Sequence, residues 1–296
     1  MYDWSKMKKV IILIPVFNDW DSLKKLIDEI NDQVKETKDI FFDCLVINDA
    51  STIKQPELRK PGYIKSLKIL NMKQNKGHAR CNAFGIRYVN KFEKFDHLIL
   101  MDGDGEDRPV ELQLFIKELK RNNEKSIVAK RIKRSEGPVF RFLYSCHKIL
   151  TFLFTGKTIN FGNYSCLTKK DVEILSSKAS LWSSFSGSVK KNIKSFDEIK
   201  STRGLRYFGP SKMSLFKLII HSFSIIAVFK YQVFLRSFLI LVFLSTINLH
   251  IGKLQFLSQI LLLSFNIIIF LVSLREKKDE LLKSQDNLKN IVEIRH

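Results

Sequence analysis

The chain has 296 residues, 45% of them hydrophobic, with 50 lysines and arginines against 30 aspartates and glutamates for a net charge of +20. That apolar content excludes a disordered polyelectrolyte, and four cysteines without Cys-x-x-Cys spacing exclude a zinc knuckle or a disulfide framework and fit a reducing, cytoplasmic setting. The positive excess asks for an anionic partner; no interleaved basic and aromatic stripe argues for nucleic acid, and an apolar C-terminal third favours lipid over it.

Val10 to Ile14 reads as a buried strand ended by Pro15, too short and too soon interrupted for a signal peptide. Leu23, Leu26, Ile27 and Ile30 then mark a helix. Cys44 to Ile47 is a second strand running into Asn48-Asp49-Ala50-Ser51-Thr52, and Leu67 to Leu70 a third. Asn75-Lys76-Gly77 punctuates before a helix carrying Ala79, Ala83, Ile86 and Val89, which returns to a strand at Leu98. This alternation predicts an α/β fold with a parallel, doubly wound sheet. Ligands of such sheets sit beyond the carboxyl ends of the strands, which collects Pro15 to Asp19, Asn48 to Thr52 and Asp102 to Asp107 at one rim.

The last of these turns is the most informative. The apolar run Leu98 to Met101 breaks into four carboxylates within six residues, Asp102, Asp104, Glu106 and Asp107. Such a cluster repels itself unless a cation sits in it, and oxygen ligands suit Mg²⁺ or Mn²⁺. A solvated acidic turn is the alternative.

Leu112, Phe115, Ile116 and Leu119 form a helix behind Pro109, and Ile127 to Ala129 a short strand. Lys130, Arg131, Lys133 and Arg134 make a cationic run able to grip phosphate, followed by a Phe- and Tyr-rich helix to Thr155. Phe161 to Cys166 and Ser183 to Ser188 read as pocket loops. Arg206 to Met213 lies directly ahead of the apolar third, which puts Arg206 and Lys212 at a membrane face. Leu215, Ile219, Ile220 and Phe223 share one face of an interfacial helix. Val233 to about Gly252 and Leu254 to Leu274 each have about the 20 residues that cross hydrocarbon. Basic residues flank the outer ends, so both termini are expected on the cytoplasmic side; a buried helical hairpin is the alternative. The expected organisation is 1–210 catalytic, 211–232 interfacial, 233–275 two transmembrane helices and 276–296 a charged tail.

Assembled, these residues resemble family 2 glycosyltransferases, and within them the membrane-anchored group of dolichyl-phosphate mannose synthase and bacterial polyprenyl-phosphate glycosyltransferases. The resemblance covers about residues 8–230. Ile14-Pro15-Val16-Phe17-Asn18-Asp19 is similar to the family's Pro-x-Tyr-Asn-Glu loop, and Ile47 to Thr52 to its Val-Asp-Asp-Gly-Ser-Thr turn, with Asn48 for Asp and Ala50 for Gly. Asn75-x-Gly77-His78 with Ala83 and Gly85 matches a helix-opening loop. Asp102-x-Asp104-x-Glu106-Asp107-x-Pro109 matches Asp-x-Asp-x-Gln, with Glu for Gln, and Arg206-x-x-Gly209-x-Ser211-Lys212-Met213 the motif ahead of the membrane helices.

The resemblance implies a nucleotide-diphosphate-sugar transferase fold (GT-A type, Rossmann-like) and inverting transfer of one sugar from a UDP- or GDP-linked donor to a polyprenyl phosphate. It assigns donor binding to Pro15, Phe17, Asn18, Asp19, Asp49, Lys76, Gly77, Asp102 and Gly103, and the metal, Mg²⁺ or Mn²⁺, to Asp104 and Glu106. Acceptor phosphate falls to Arg131, Arg134, Arg206, Ser211 and Lys212. The catalytic set is Asp102, Asp104, Asp107, Arg131, Arg206 and Lys212, with Asp107 a base only for a hydroxyl acceptor, because a phosphate with a second pKa of about 6 needs none. The rival readings are transfer to a hydroxyl of a lipid-linked glycan and a non-catalytic membrane scaffold. The oligomeric state stays open, a homo-oligomer included.

Overall fold

Branched apolar residues fill β1 (Lys8–Val16), where every side chain from Val10 to Ile14 is buried, as a strand covered on both faces requires. A computed structural model describes residues 7–122, 124–133, 138–210, 214–246 and 252–295. In it β1 pairs in parallel with β2 (Ile40–Asn48) and β4 (His97–Leu100), and β2 with β3 (Ser66–Met72). Val10, Ile12 and Ile14 pack under α1 (Trp20–Val34) and α3 (Leu112–Arg121). Ile11 and Leu13 pack on the other face under α2 (His78–Phe92), α5 (Lys169–Ser176) and α6 (Phe185–Asn192). Gly85 lets α2 lie close to the sheet, since a Cβ there would clash with Leu13 and press on Ile47.

The sheet is mixed, which corrects the all-parallel expectation. Its order is β7-β5-β6-β4-β1-β2-β3-β8. β6 (Phe161–Thr168) runs antiparallel to both β4 and β5 (Ser126–Lys133), and β7 (Phe196–Thr202) parallel to β5. The stretch expected as a pocket loop at Phe161 to Cys166 is thus a strand, buried from Tyr164 to Thr168; its small polar residues hid the signal. Ser183 to Ser188 opens α6 instead of forming a loop, with Ser184 Oγ accepting from Gly187 N.

The largest difference lies at the end of the chain. Residues 276–296, expected as a charged tail, include α10 (Lys278–Leu282), a 3₁₀ turn over Ser284–Asn287 and the strand β8 (Leu288–Ile294), which is antiparallel to β3. Val292 and Ile294 reach the core under α1 while Ile291 faces outward, the alternation of a strand with one covered face. Charges at Lys289 and Glu293 masked that pattern.

Between β7 and β8 lie α7 (Leu215–Ala227), α8 (Lys230–Thr246) and α9 (Gly252–Ser273). Phe154 of α4 (Pro138–Thr155), Ile226, Ala227, Val233, Leu262 and Ile269 bind them into a small core of their own. Arg236 on α8 donates to the Phe152 and Leu153 carbonyls that end α4, a partner suited to a helix C-terminus. Among the described residues, only the stretch Gly252–Leu282 is long and apolar enough by itself to cross a membrane; α7 and α8 reach that length only together, across an 85° bend. Leu235, Phe238, Phe243, Phe256, Leu261 and Phe270 stay exposed, the kind of apolar surface that marks a partner or membrane contact.

Candidate functional site

Three turns at the carboxyl ends of β1, β2 and β4 meet, and much of their polar chemistry holds the turns themselves. Asn18, at φ 52°, accepts with Oδ1 from Thr52 N (2.8 Å) and Ile53 N (3.0 Å); asparagine tolerates that left-handed backbone. Asn48 spans from Ser51 N to Asn71 Oδ1. Asp49 is buried, and its two oxygens accept from Lys76 N (2.8 Å) and Gly77 N (2.9 Å). Burial raises its carboxyl above the ordinary range even against those two donors. The expected donor residues Asn18, Asp49, Lys76 and Gly77 are therefore brought together, with the Asn18 and Asp49 side chains spent on backbone donors. Gly77, at φ 82°, opens α2.

The acidic turn lies against β1: a Cβ on Gly103 would sit 2.8 Å from Pro15 O. Asp102 N donates to Asp107 Oδ2 (3.0 Å), and Asp102 Oδ1 lies 3.3 Å from His78 Nε2 and 3.2 Å from Asn163 Nδ2. Asp107 is 4% exposed, with Oδ1 4.0 Å from Arg131 Nη2. Burial, then the charge of Asp102, pushes Asp107 up to about 8. Burial also raises Asp104, to about 6, with Arg206 and Arg203 pulling it back. Burial would raise Asp102 as well, yet His78, Arg131 and Arg203 hold it below the usual carboxylate range. Asp107 thus anchors the turn through Asp102 N, with the Arg131 guanidinium beside it.

The segment after β7 crosses back over this turn. Arg206 donates from Nη1 to Asp104 Oδ2 and from Nη2 to Asp19 Oδ2, 2.5 Å each. Arg203 pairs with Glu106. Gly204 N donates to Glu106 O (2.8 Å), Tyr207 N to Asp104 O (3.0 Å) and Tyr207 Oη to Glu29 Oε2 (2.5 Å). The Tyr207 ring fills the space a Cβ on Gly105 would need, and Lys25 Nζ sits 4.5 Å above it. Arg206 was expected to face the membrane and acceptor; its side chain is instead 14% exposed and turned into the acidic rim. The reason is electrostatic, since a guanidinium fork matches two converging carboxylates. Arg134, Ser211 and Lys212 lie outside the described residues.

The carboxylates expected to take Mg²⁺ or Mn²⁺, Asp104 and Glu106, each hold a guanidinium. Among the described residues no group of three metal-ligating side chains converges. In this conformation the residues do not fit a divalent cation, and the arginines supply the positive charge. A cavity of about 490 Å³ opens at the ends of β2, β3 and β8, by Asn48, Ser51, Asn71, Lys73 and Lys289, and no residue of the acidic turn lines it. Arg203, His78 and Asn163 were missed from sequence as site residues. The Arg203-x-x-Arg206 pair directly after β7 is the signal that could have found the first.

A family model described as glycosyl transferase family 2 matches residues 11–185, from β1 into α6. Mannosyl-3-phosphoglycerate synthase from Rubrobacter xylanophilus superposes with a TM-score of 0.51 at 13% identity, over 75% of this chain and 72% of that one. Glucosyl-3-phosphoglycerate synthase from Mycobacterium tuberculosis, solved with Mn²⁺, UDP-glucose and phosphoglyceric acid, gives 0.50 at 10% identity over 76% and 80%. An uncharacterised protein of Methanocaldococcus jannaschii is 22% identical over 122 residues, 40% of this chain and 50% of that protein, so the match spans about half the length of this curated relative. At these identities the solved structures speak for the fold, whereas the family match runs through every strand end that builds the acidic rim: the chain belongs to glycosyl transferase family 2.

Proposed function

We propose that this protein is a membrane-bound inverting glycosyltransferase that moves one sugar from a UDP- or GDP-linked donor to a polyprenyl phosphate at the cytoplasmic face of a membrane, the inner membrane if the cell is bacterial. On this reading it belongs with the polyprenyl-phosphate group of its family. The observation that carries this reading is the direct covalent run from the acidic rim, through the arginines at 203 and 206, into α7, α8 and α9 with their exposed apolar faces.

The donor lies across the ends of β1, β2 and β4. Its nucleoside packs by Pro15, Phe17 and the Lys76-Gly77 loop, and its diphosphate faces the acidic turn. An acceptor phosphate is largely dianionic at neutral pH, attacks the anomeric carbon without a base, and needs cations to approach the anionic donor. This reading gives that task to Arg131, 15% exposed beside Asp107, and stabilising the leaving group's charge is commonly the larger demand in such chemistry. The sheet also constrains the membrane passage: β7 and β8 belong to one sheet, so whatever lies between them leaves and returns on the same side. That supports a multi-pass hairpin with both ends cytoplasmic.

Membranes carrying the protein are incubated with Mn²⁺, short polyprenyl phosphate and a panel of labelled nucleotide-sugars. Label entering an organic-extractable, mild-acid-labile product is the expected outcome. Label found only on a glycan hydroxyl overturns the acceptor assignment, and no turnover with any donor favours a scaffold.

A further inference from the structure

We infer that α4, a helix of the catalytic domain between β5 and β6, lies along the bilayer surface with Phe142, Ile149, Phe152 and Leu153 among the acyl chains. This rests on the membrane reading proposed above and adds to it a contact that the catalytic domain makes by itself.

The helix is turned the opposite way from one that faces water. Phe142, Ile149 and Leu153 recur at helical spacing and share one face. Phe142 is 67% exposed, Ile149 66%, Phe152 60% and Leu153 48%. The covered side holds Thr151 and Thr155 beside Phe154. Those threonines can turn inward because each hydroxyl donates to a carbonyl of its own helix, Thr151 Oγ1 to His147 O at 2.7 Å and Thr155 Oγ1 to Thr151 O at 2.6 Å, so neither is buried unpaired. A helix on the surface of a soluble domain hides its large apolar side chains and shows its polar ones. The order here is the reverse, which suits lipid.

The exposed face is continuous with that of the C-terminal helices. Phe154 packs with Ile226, Val233, Leu262 and Ile269 in one cluster, its ring centroid 4.5 Å from that of Phe265. Arg236, near the start of α8, donates to the Phe152 and Leu153 carbonyls and fills the space a Cβ on Gly156 would need. That bond fixes the end of α4 to α8 at the level where α8 would enter the bilayer. Charge agrees with this placement. From Pro138 to Lys157 the sequence has no acidic residue, and Lys148 and Lys157 are exposed, as suits a helix whose lysines reach outward to anionic headgroups. The strand before α4 is β5, which carries Arg131 beside Asp107. A bilayer that holds α4 therefore also holds this edge of the acidic rim near the lipid surface from which a phosphate acceptor would come.

The test uses the full chain reconstituted in vesicles of phosphatidylcholine and phosphatidylglycerol, with Cys146→Ser removing the cysteine that is not buried. Ile149→Cys in α4, Leu261→Cys in α9 and Lys289→Cys in β8 then each carry a nitrobenzoxadiazole label, read in ordinary lipid and in lipid with brominated acyl chains. Quenching requires the label to reach the acyl region, as the apolar face of an interfacial helix does. Brominated lipid should dim the Ile149→Cys label about two- to threefold and leave the Lys289→Cys label almost unchanged. Adding Phe142→Asp and Phe152→Asp, at side chains too exposed to hold the fold, should cut the dimming at Ile149→Cys by about half or more and leave that at Leu261→Cys as it was. Dimming at Leu261→Cys without dimming at Ile149→Cys overturns the inference and leaves the membrane reading standing; it is the result expected if a protein partner or a second copy covers α4. Dimming at Ile149→Cys that survives both aspartates overturns it too. No dimming at Leu261→Cys overturns the membrane reading, and this inference with it.

Discussion

Ala50 holds a left-handed backbone at φ 55°, where a methyl group crowds the next carbonyl at a cost of about 1–2 kcal/mol. Glycine relieves that crowding but loses more freedom on folding, roughly 0.5–1 kcal/mol. Ala50→Gly should therefore stabilise the catalytic domain slightly, raising its thermal midpoint by about 1–3 °C; a lowered midpoint would mean the methyl packs usefully in the turn. The neighbouring Asp49 shows where residue-scale reading stops. Its presence after a buried strand was legible, yet its partners, Lys76 N and Gly77 N, lie 27 and 28 residues away and could not be read from the turn alone. The same holds for Asp104 and Glu106. Their grouping was visible as a run of carboxylates, but the arginines that neutralise them come from beyond β7, 97 and 102 positions on, and no local pattern ties the two segments.

Strands buried on both faces announce themselves as apolar runs, which is why β1, β2 and β4 stood out in the sequence. Strands at the margins do not. β6 buries serine and cysteine, β7 has only Ile199 and Ser201 well buried, and β8 carries charges on its open face. The pattern survives in β8 as a period of two, and it makes a test of the element. Ile294→Asp puts a carboxylate against the core under α1 and should lower the thermal midpoint sharply, by the equivalent of about 3 kcal/mol. Ile291→Asp, on a side chain 45% exposed, should leave it almost unchanged. Equal effects from the two would mean that β8 does not pair with β3 in solution. Without β8 the β3 edge would present unpaired backbone donors and acceptors, an invitation to aggregation.

At the scale of the whole molecule, the proposed arrangement has one catalytic domain on the cytoplasmic side with α8 and α9 in the bilayer. A cysteine replacing Lys253, in the first turn of α9, should react with a membrane-impermeant maleimide added from the opposite side to the catalytic domain. A cysteine replacing Lys289 in β8 should react only from the catalytic side. Both reacting from the same side would overturn the hairpin. The sequence carried the apolar lengths and charged flanks that suggest such a passage; the return of the chain to its own sheet was not legible, because β8 finds its partner across the full length of the domain. That return has a consequence for synthesis. Residues at Gln74 and Asn287 bond to one another although 213 positions apart. A chain made from its N-terminus exposes the β3 edge throughout translation, while the apolar helices emerge before the strand that will cover it. The domain can be completed only after those helices have left the ribosome and found their own environment. In the proposed membrane arrangement, delivery to the bilayer and closure of the catalytic sheet become successive steps of one maturation, and molecules stalled at the first would be held with the sheet open.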